Sequence, residues 1–172
     1  MIKFRDLTAD EIDVRVGMCK DNGLTLLLYK DARCDMNILD ETVGAENWQR
    51  EHYECKGNLF CKVGIKYEGE WIWKADCGTE SNTEKEKGES SYSFKRSCVC
   101  HGIGRELYTS PFIWIKAEDC KIKSFDFQGK KKYKCDDKFV VEKIVIVNKR
   151  ITAIAIRNAT LNKRVFVWQE SK

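Results

Sequence analysis

Leu59-Phe60-Cys61-Lys62-Val63-Gly64-Ile65-Lys66-Tyr67 is the most legible segment of this chain. Successive side chains of an extended strand point to opposite faces, so Leu59, Cys61, Val63, Ile65 and Tyr67 share one face while Lys62 and Lys66 share the other. Lys56-Gly57-Asn58 before the segment and Glu68-Gly69 after it have the composition of hairpin turns. Trp48 to Cys55 and Glu70 to Cys77 are therefore its antiparallel partners, and the three strands form a meander. On the third strand Trp71 and Trp73 share a face, and Lys74 points the other way.

Downstream of the meander, Gly78 to Gly88 is polar and reads as a loop. Glu89 to His101 then fits a helix with Phe94, Ser97, Cys98 and His101 on one side and Lys95 and Arg96 off that side. Gly102 and Gly104 stop or bend it. Upstream, Ala32, Met36, Leu39 and Val43 recur at helical spacing behind an Asp31 cap, and Gly44 ends that helix. Thr8-Ala9-Asp10-Glu11 fits a capping box and predicts a short N-terminal helix. Asp13 to Val16 alternates, and Leu24 to Tyr29 has the length of a buried strand. Residues 116–138 are lysine-rich and read as irregular, with Lys130-Lys131-Lys132 in the middle. Phe139 to Val147, Ile151 to Arg157 and Arg164 to Trp168 predict a second meander. The expected fold is α+β, with an antiparallel meander packed on a basic helix and a small C-terminal β-sheet appendage. The expected division is a core of residues 1–115 followed by a connector and meander at 116–172.

Composition bounds what such a chain does. Its 172 residues suit one compact domain with a small appendage, and 42% hydrophobic residues with 19 aromatics are too many for a disordered tail. No apolar run reaches the roughly 18–20 residues of a membrane-spanning helix, and the charged start lacks the pattern of a secretory signal, so a cytoplasmic protein without a membrane partner is expected. Nine scattered cysteines, an odd number, are expected to be reduced thiols. Cys98-Val99-Cys100-His101 has no second ligand cluster at metal spacing, Gly102-Ile103-Gly104 lacks the lysine of a nucleotide loop, and His52 and His101 offer no supported triad. No catalytic residue, metal or cofactor is expected. Residues 1–86 carry 12 basic and 18 acidic side chains and residues 87–172 carry 19 and 9. That asymmetry fits either a polyanion partner or a solvated basic face.

Four motifs stand in order: Asp76-Cys77-Gly78-Thr79-Glu80-Ser81, Glu86-Lys87-Gly88, Ser91-Tyr92-Ser93-Phe94-Lys95-Arg96-Ser97, and Gly102-Ile103-Gly104-Arg105-Glu106-Leu107-Tyr108. This succession resembles the Rad-fifty-two-type single-strand annealing proteins, particularly their phage and bacterial branch. In that family a strand ends in an Asp-x-Gly-Thr turn, a helix carries a Lys-Arg pair, and a Gly-x-Gly-Arg-x-Leu-Tyr stretch follows. Tyr29-Lys30-Asp31-Ala32-Arg33 resembles the family's strand-to-helix entry, and Leu39 to Trp48 its helix end, so the resemblance covers about residues 8–115. Tyr92 stands where the family usually has Asp, Ser97 where it usually has Ala, and Val99 where a eukaryotic relative has an arginine. Tyr92 reads either as a packing residue or as a stacking one, and packing is favoured because aromatics on helices more often fill cores.

The resemblance implies ATP-independent binding of single-stranded DNA around a ring-shaped homo-oligomer and annealing of complementary strands in recombination or repair, with a single-strand binding protein as a further partner. It implies no bond-breaking chemistry. Carried over by position, Lys95 and Arg96 are the groove cations that hold the DNA backbone, and Arg33 is the arginine at the helix entry. Lys62, Lys66 and Lys74 read either as phosphate contacts on the meander face near the Lys95-Arg96 helix or as solvated and edge-protecting lysines. Arg105 reads either as a phosphate contact or as an ion pair fixing the glycine turn. The rival readings are a nucleic-acid-binding module without annealing activity and a metal-dependent nuclease.

Overall fold

A computed structural model describes residues 2–78 and 85–171. In chain order the elements are β1 (Asp13–Lys20), β2 (Gly23–Tyr29), α1 (Ala32–Val43), β3 (Trp48–Cys55), β4 (Asn58–Tyr67), β5 (Glu70–Cys77), α2 (Lys85–His101), β6 (Ile113–Lys116), β7 (Ile122–Phe127), β8 (Lys130–Cys135), β9 (Phe139–Val147), β10 (Arg150–Asn158) and β11 (Lys163–Gln169). All strand pairs are antiparallel, and the fold is α+β with a meander. The chain forms two compact units.

The first unit holds the segment up to Asp6 together with Asp31–Arg105. Its sheet has the order β3-β4-β5, in the expected register of a meander. Cys61, Val63 and Ile65 are buried on the face that meets α2, where Phe94 and Cys98 are fully buried. Val63, Ile65 and Phe94 each contribute about 1.5–3 kcal/mol by leaving water. The helix α1 packs on α2, and its Ile38 and Leu39 are fully buried. Asp31 caps α1 by accepting from the Arg33 N–H at 2.7 Å, and Gly44, at φ 87°, closes it. The end of β5 lies so near α2 that a Cβ at Gly78 would stand 2.5 Å from the Glu89 carbonyl oxygen. The expected loop from Gly78 to Gly88 falls in large part outside the described residues, and the helix already begins at Lys85. At its other end α2 stops in a Schellman turn: the Gly102 N–H donates to Val99 O and the Ile103 N–H to Cys98 O, with Gly102 at φ 106°.

The second unit holds Leu7–Lys30 and Glu106–Lys172. Its main sheet has the order β11-β10-β9-β1-β2-β6. The C-terminal meander is thus not a separate small sheet, because β9 pairs with β1 through Asp13 and Val140 and so continues into β2 and β6. The division into units differs from a boundary after residue 115 for the same reason, since β1 and β2 share one sheet with β6, β9, β10 and β11. The short N-terminal helix expected from the capping box is a single 3-10 turn, Ala9–Glu11, with Thr8 at its N-cap. The Thr8 N–H donates to Glu11 Oε2 at 2.9 Å, and then buried Ile12 leads directly into β1. Residues 122–135 form a two-stranded hairpin, not an irregular connector. Inside the unit, the fully buried Glu106 accepts from the Leu7 N–H at 2.7 Å, with the Lys149 ammonium 3.9 Å from its other oxygen. All nine cysteines are free thiols, and burial pushes Cys61 up to about 11 and Cys120 up to about 12.

Candidate nucleic-acid interface

The helix α2 turns Ser93, Phe94, Ser97 and Cys98 into the first unit's core and leaves Tyr92, Lys95 and Arg96 on its outer side. Tyr92 is 38% exposed, which corrects its reading as a packing residue: the sheet takes the Phe94 and Cys98 side of the helix, and a residue two positions from Phe94 falls on the far side of a 3.6-residue turn. Two cations flank its ring, with Lys95 Nζ 5.7 Å and Arg96 Cζ 6.0 Å from the centroid. Arg96 also pairs with Asp76 at 3.0 Å, so the end of β5 aims the guanidinium. Asp76 is itself fixed, because its N–H donates to Ser97 Oγ at 3.0 Å while the Ser97 hydroxyl donates to Cys61 O. A serine at this buried position therefore ties β4 and β5 to the helix that carries the Lys-Arg pair.

Arg33 is highly exposed at the start of α1 and reaches back to Asp31, with Nε at 3.2 Å and Nη2 at 3.1 Å. Hydrogen bonds from Arg33 hold the Asp31 carboxyl below the usual range, and the positive charge of Lys95 lowers it further. Arg33 and Lys95, distant in sequence, therefore act on one carboxylate. Lys95, Arg96 and the Tyr92 ring form a ridge on the outer side of α2, where Asp76 orients Arg96, and Arg33 at the start of α1 is held by Asp31. Cations with an exposed ring between them can hold phosphates and offer a base a stacking surface.

The strand lysines are distributed differently from the expectation that they line one face near this helix. Lys62 and Lys66 lie on the sheet face turned away from α2, as the burial of their neighbours Cys61, Val63 and Ile65 requires. Lys62 pairs with Glu51 at 3.1 Å and stands 5.0 Å over the Trp73 ring. That ring lies flat across Gly64, where a Cβ would come within 2.9 Å of it, and Trp71 stands beside it with centroids 6.1 Å apart. Lys74, directly across from Val63, lies on the helix side. Its ammonium donates to Cys100 O at 3.0 Å. Arg105 joins it at the same helix end, donating from Nε to Val99 O and from Nη2 to Cys100 O, both at 2.9 Å. These two cations satisfy the last carbonyls of α2, where positive charge is favoured, and so fix the glycine turn by hydrogen bonds rather than by an ion pair.

The two histidines are also engaged with backbone. His101 Nε2–H donates to Val63 O at 2.9 Å and His52 Nε2–H to Ser90 O at 3.1 Å, and burial lowers the basicity of His101. The sequence pointed to Lys95, Arg96 and Arg33, but the exposed setting of Tyr92 and the Trp71–Trp73 pair on the open face emerged only from the packing. No protein family description matches the chain, and no curated protein or solved structure shows significant similarity to it.

Proposed function

We propose that this protein binds single-stranded DNA and anneals complementary strands without ATP, as a homo-oligomeric ring in recombination or repair. The observation that carries this reading is the pairing of Lys95 and Arg96 around the exposed Tyr92 ring on the outer side of α2, with Arg33 a further exposed cation of the same unit. The ridge neutralises phosphates, which dominate single-strand affinity, and leaves base edges free to test a second strand for pairing. Base pairing then supplies the specificity, and no residue breaks a bond. The ordered motifs from Asp76 to Tyr108 support the same reading through their resemblance to the single-strand annealing proteins.

The test is a titration of labelled oligonucleotides at graded salt, followed by an annealing assay with complementary strands. Lys95→Ala with Arg96→Ala should weaken binding to all sequences alike and lower the salt slope by about 0.7 for each phosphate no longer neutralised. An unchanged slope in the folded double variant would remove the ridge from the binding surface. Trp71 and Trp73 on the open sheet face favour a second reading, a nucleic-acid-binding module that stacks bases but does not anneal. Tight binding with no acceleration of annealing would select it.

A further inference from the structure

The hairpin of β7 and β8 separates its residues sharply by face. Lys123 stands opposite Lys134, Phe125 opposite Lys132 and Phe127 opposite Lys130, so one face consists of four lysines and two phenylalanines. All six are exposed. The reverse face carries the half-buried Ile122, Tyr133 and Cys135, and β8 meets β1. Like charges directly across a ladder destabilise it, and a two-stranded sheet has little stability to lose. Asp136 offsets part of this, at 3.1 Å from Lys123 and 3.6 Å from Lys134. Among the described residues, no carboxylate forms an ion pair with Lys130 or Lys132.

We propose that this face is a second binding surface for single-stranded nucleic acid, distinct from the α2 ridge and independent of Lys95 and Arg96. Lys130, Lys132 and Lys134 recur at every second residue of a strand, about 7 Å apart, which is comparable to the spacing of adjacent phosphates in an extended single strand. Phe125 and Phe127 form a parallel row on the neighbouring strand, about 5 Å away. A strand laid along the hairpin therefore sets its phosphates over the lysine row and its bases over the rings. Phe127 is 47% exposed and Phe125 39%, and Lys132 Nζ lies 4.3 Å over the Phe127 ring, holding it until a base replaces the ammonium. The two parallel rows fit a polymer with charge on one side and flat apolar groups on the other, and charge complementarity names a polyanion. Duplex DNA keeps its bases stacked inside and leaves the rings unused.

The full chain is titrated with a labelled oligodeoxythymidylate and with its abasic counterpart, by fluorescence anisotropy at several salt concentrations. Lys130→Gln with Lys132→Gln should reduce the salt slope for both probes by about 1.4, the value for two single-strand phosphates. Phe125→Ala with Phe127→Ala should weaken oligodeoxythymidylate binding about tenfold or more and leave the abasic probe unaffected. All four side chains are exposed, and matching melting curves establish that the variants fold. Lys95→Ala with Arg96→Ala in the same titration reports on the ridge separately: an unchanged slope there alongside an intact hairpin effect defeats the annealing reading alone. The hairpin proposal is overturned if its variants bind both probes like the parent. It is equally overturned if they keep oligonucleotide binding but lose binding to phosphatidylserine vesicles, which would assign the face to an anionic lipid surface.

Discussion

Gly78 is where the strand carrying Asp76 passes against the backbone of the helix carrying Arg96. A side chain there meets the Glu89 carbonyl at 2.5 Å and the Ser93 nitrogen at 3.0 Å, both backbone atoms that cannot swing aside. Gly78→Ala should therefore destabilise the protein by about 1–3 kcal/mol, the usual cost of overpacking, read as a lower denaturant midpoint. His101 makes a prediction in pH. Burial first, then the charges of Lys74 and Arg105, lower its pKa below the ordinary 6.5, while its bond to Val63 O acts in the opposite direction. The unfolded chain thus takes up the proton before the folded one does. The contribution of His101 to stability is complete above about pH 6.5 and declines as the pH falls toward its lowered folded value. Chemical denaturation between about pH 7.5 and 5.5 should show that decline, and His101→Gln should flatten it. A variant with the parent's slope would assign the effect to other groups.

Among elements, α2 does three kinds of work: one side faces the sheet, another presents the ridge, and its end is capped by Lys74 and Arg105. In the second unit, charge links β9, β10 and β11 on top of their buried apolar core. Glu142 of β9 accepts from Arg164 at 2.5 Å and from Arg157 at 2.7 Å, and these bonds bring its carboxyl down from 4.5 to about 2. A carboxyl with a depressed folded pKa stabilises fully above its unfolded value and loses that contribution as the pH falls through the folded one. The meander should therefore lose stability between about pH 4.5 and 2. Comparing thermal melts of the parent and Glu142→Gln across that window isolates this residue, and the gap between them should close at the acid end.

At the scale of the whole molecule, the proposed annealing activity needs more cations than one ridge supplies. If copies assemble into a ring, weak contacts add through high effective concentration, and binding and annealing rise together with strand length until the assembly is occupied. Mass photometry with long single-stranded DNA tests this, and a chain that stays monomeric while still speeding annealing would replace the ring by simple charge screening.

Local pattern determined a good part of this architecture. The alternation at Leu59 to Tyr67, the helical spacing from Ala32 to Val43 between Asp31 and Gly44, and the strands near 139–147, 151–157 and 164–168 were legible because each depends on neighbours a few residues away. The Lys-Arg pair was likewise visible beside the apolar positions of its helix. The hairpin at 122–135 was not, since lysines on its exposed face erase the apolar alternation that marks a half-buried strand. The joining of β9 to β1 rests on a pairing between residues 13 and 140, which no local pattern encodes. The placement of Lys74 at the end of α2, the separation of Lys62 and Lys66 from the ridge and the exposure of Tyr92 were decided only by the tertiary structure. A side chain's face follows from its own element, but what that face meets depends on segments distant in sequence.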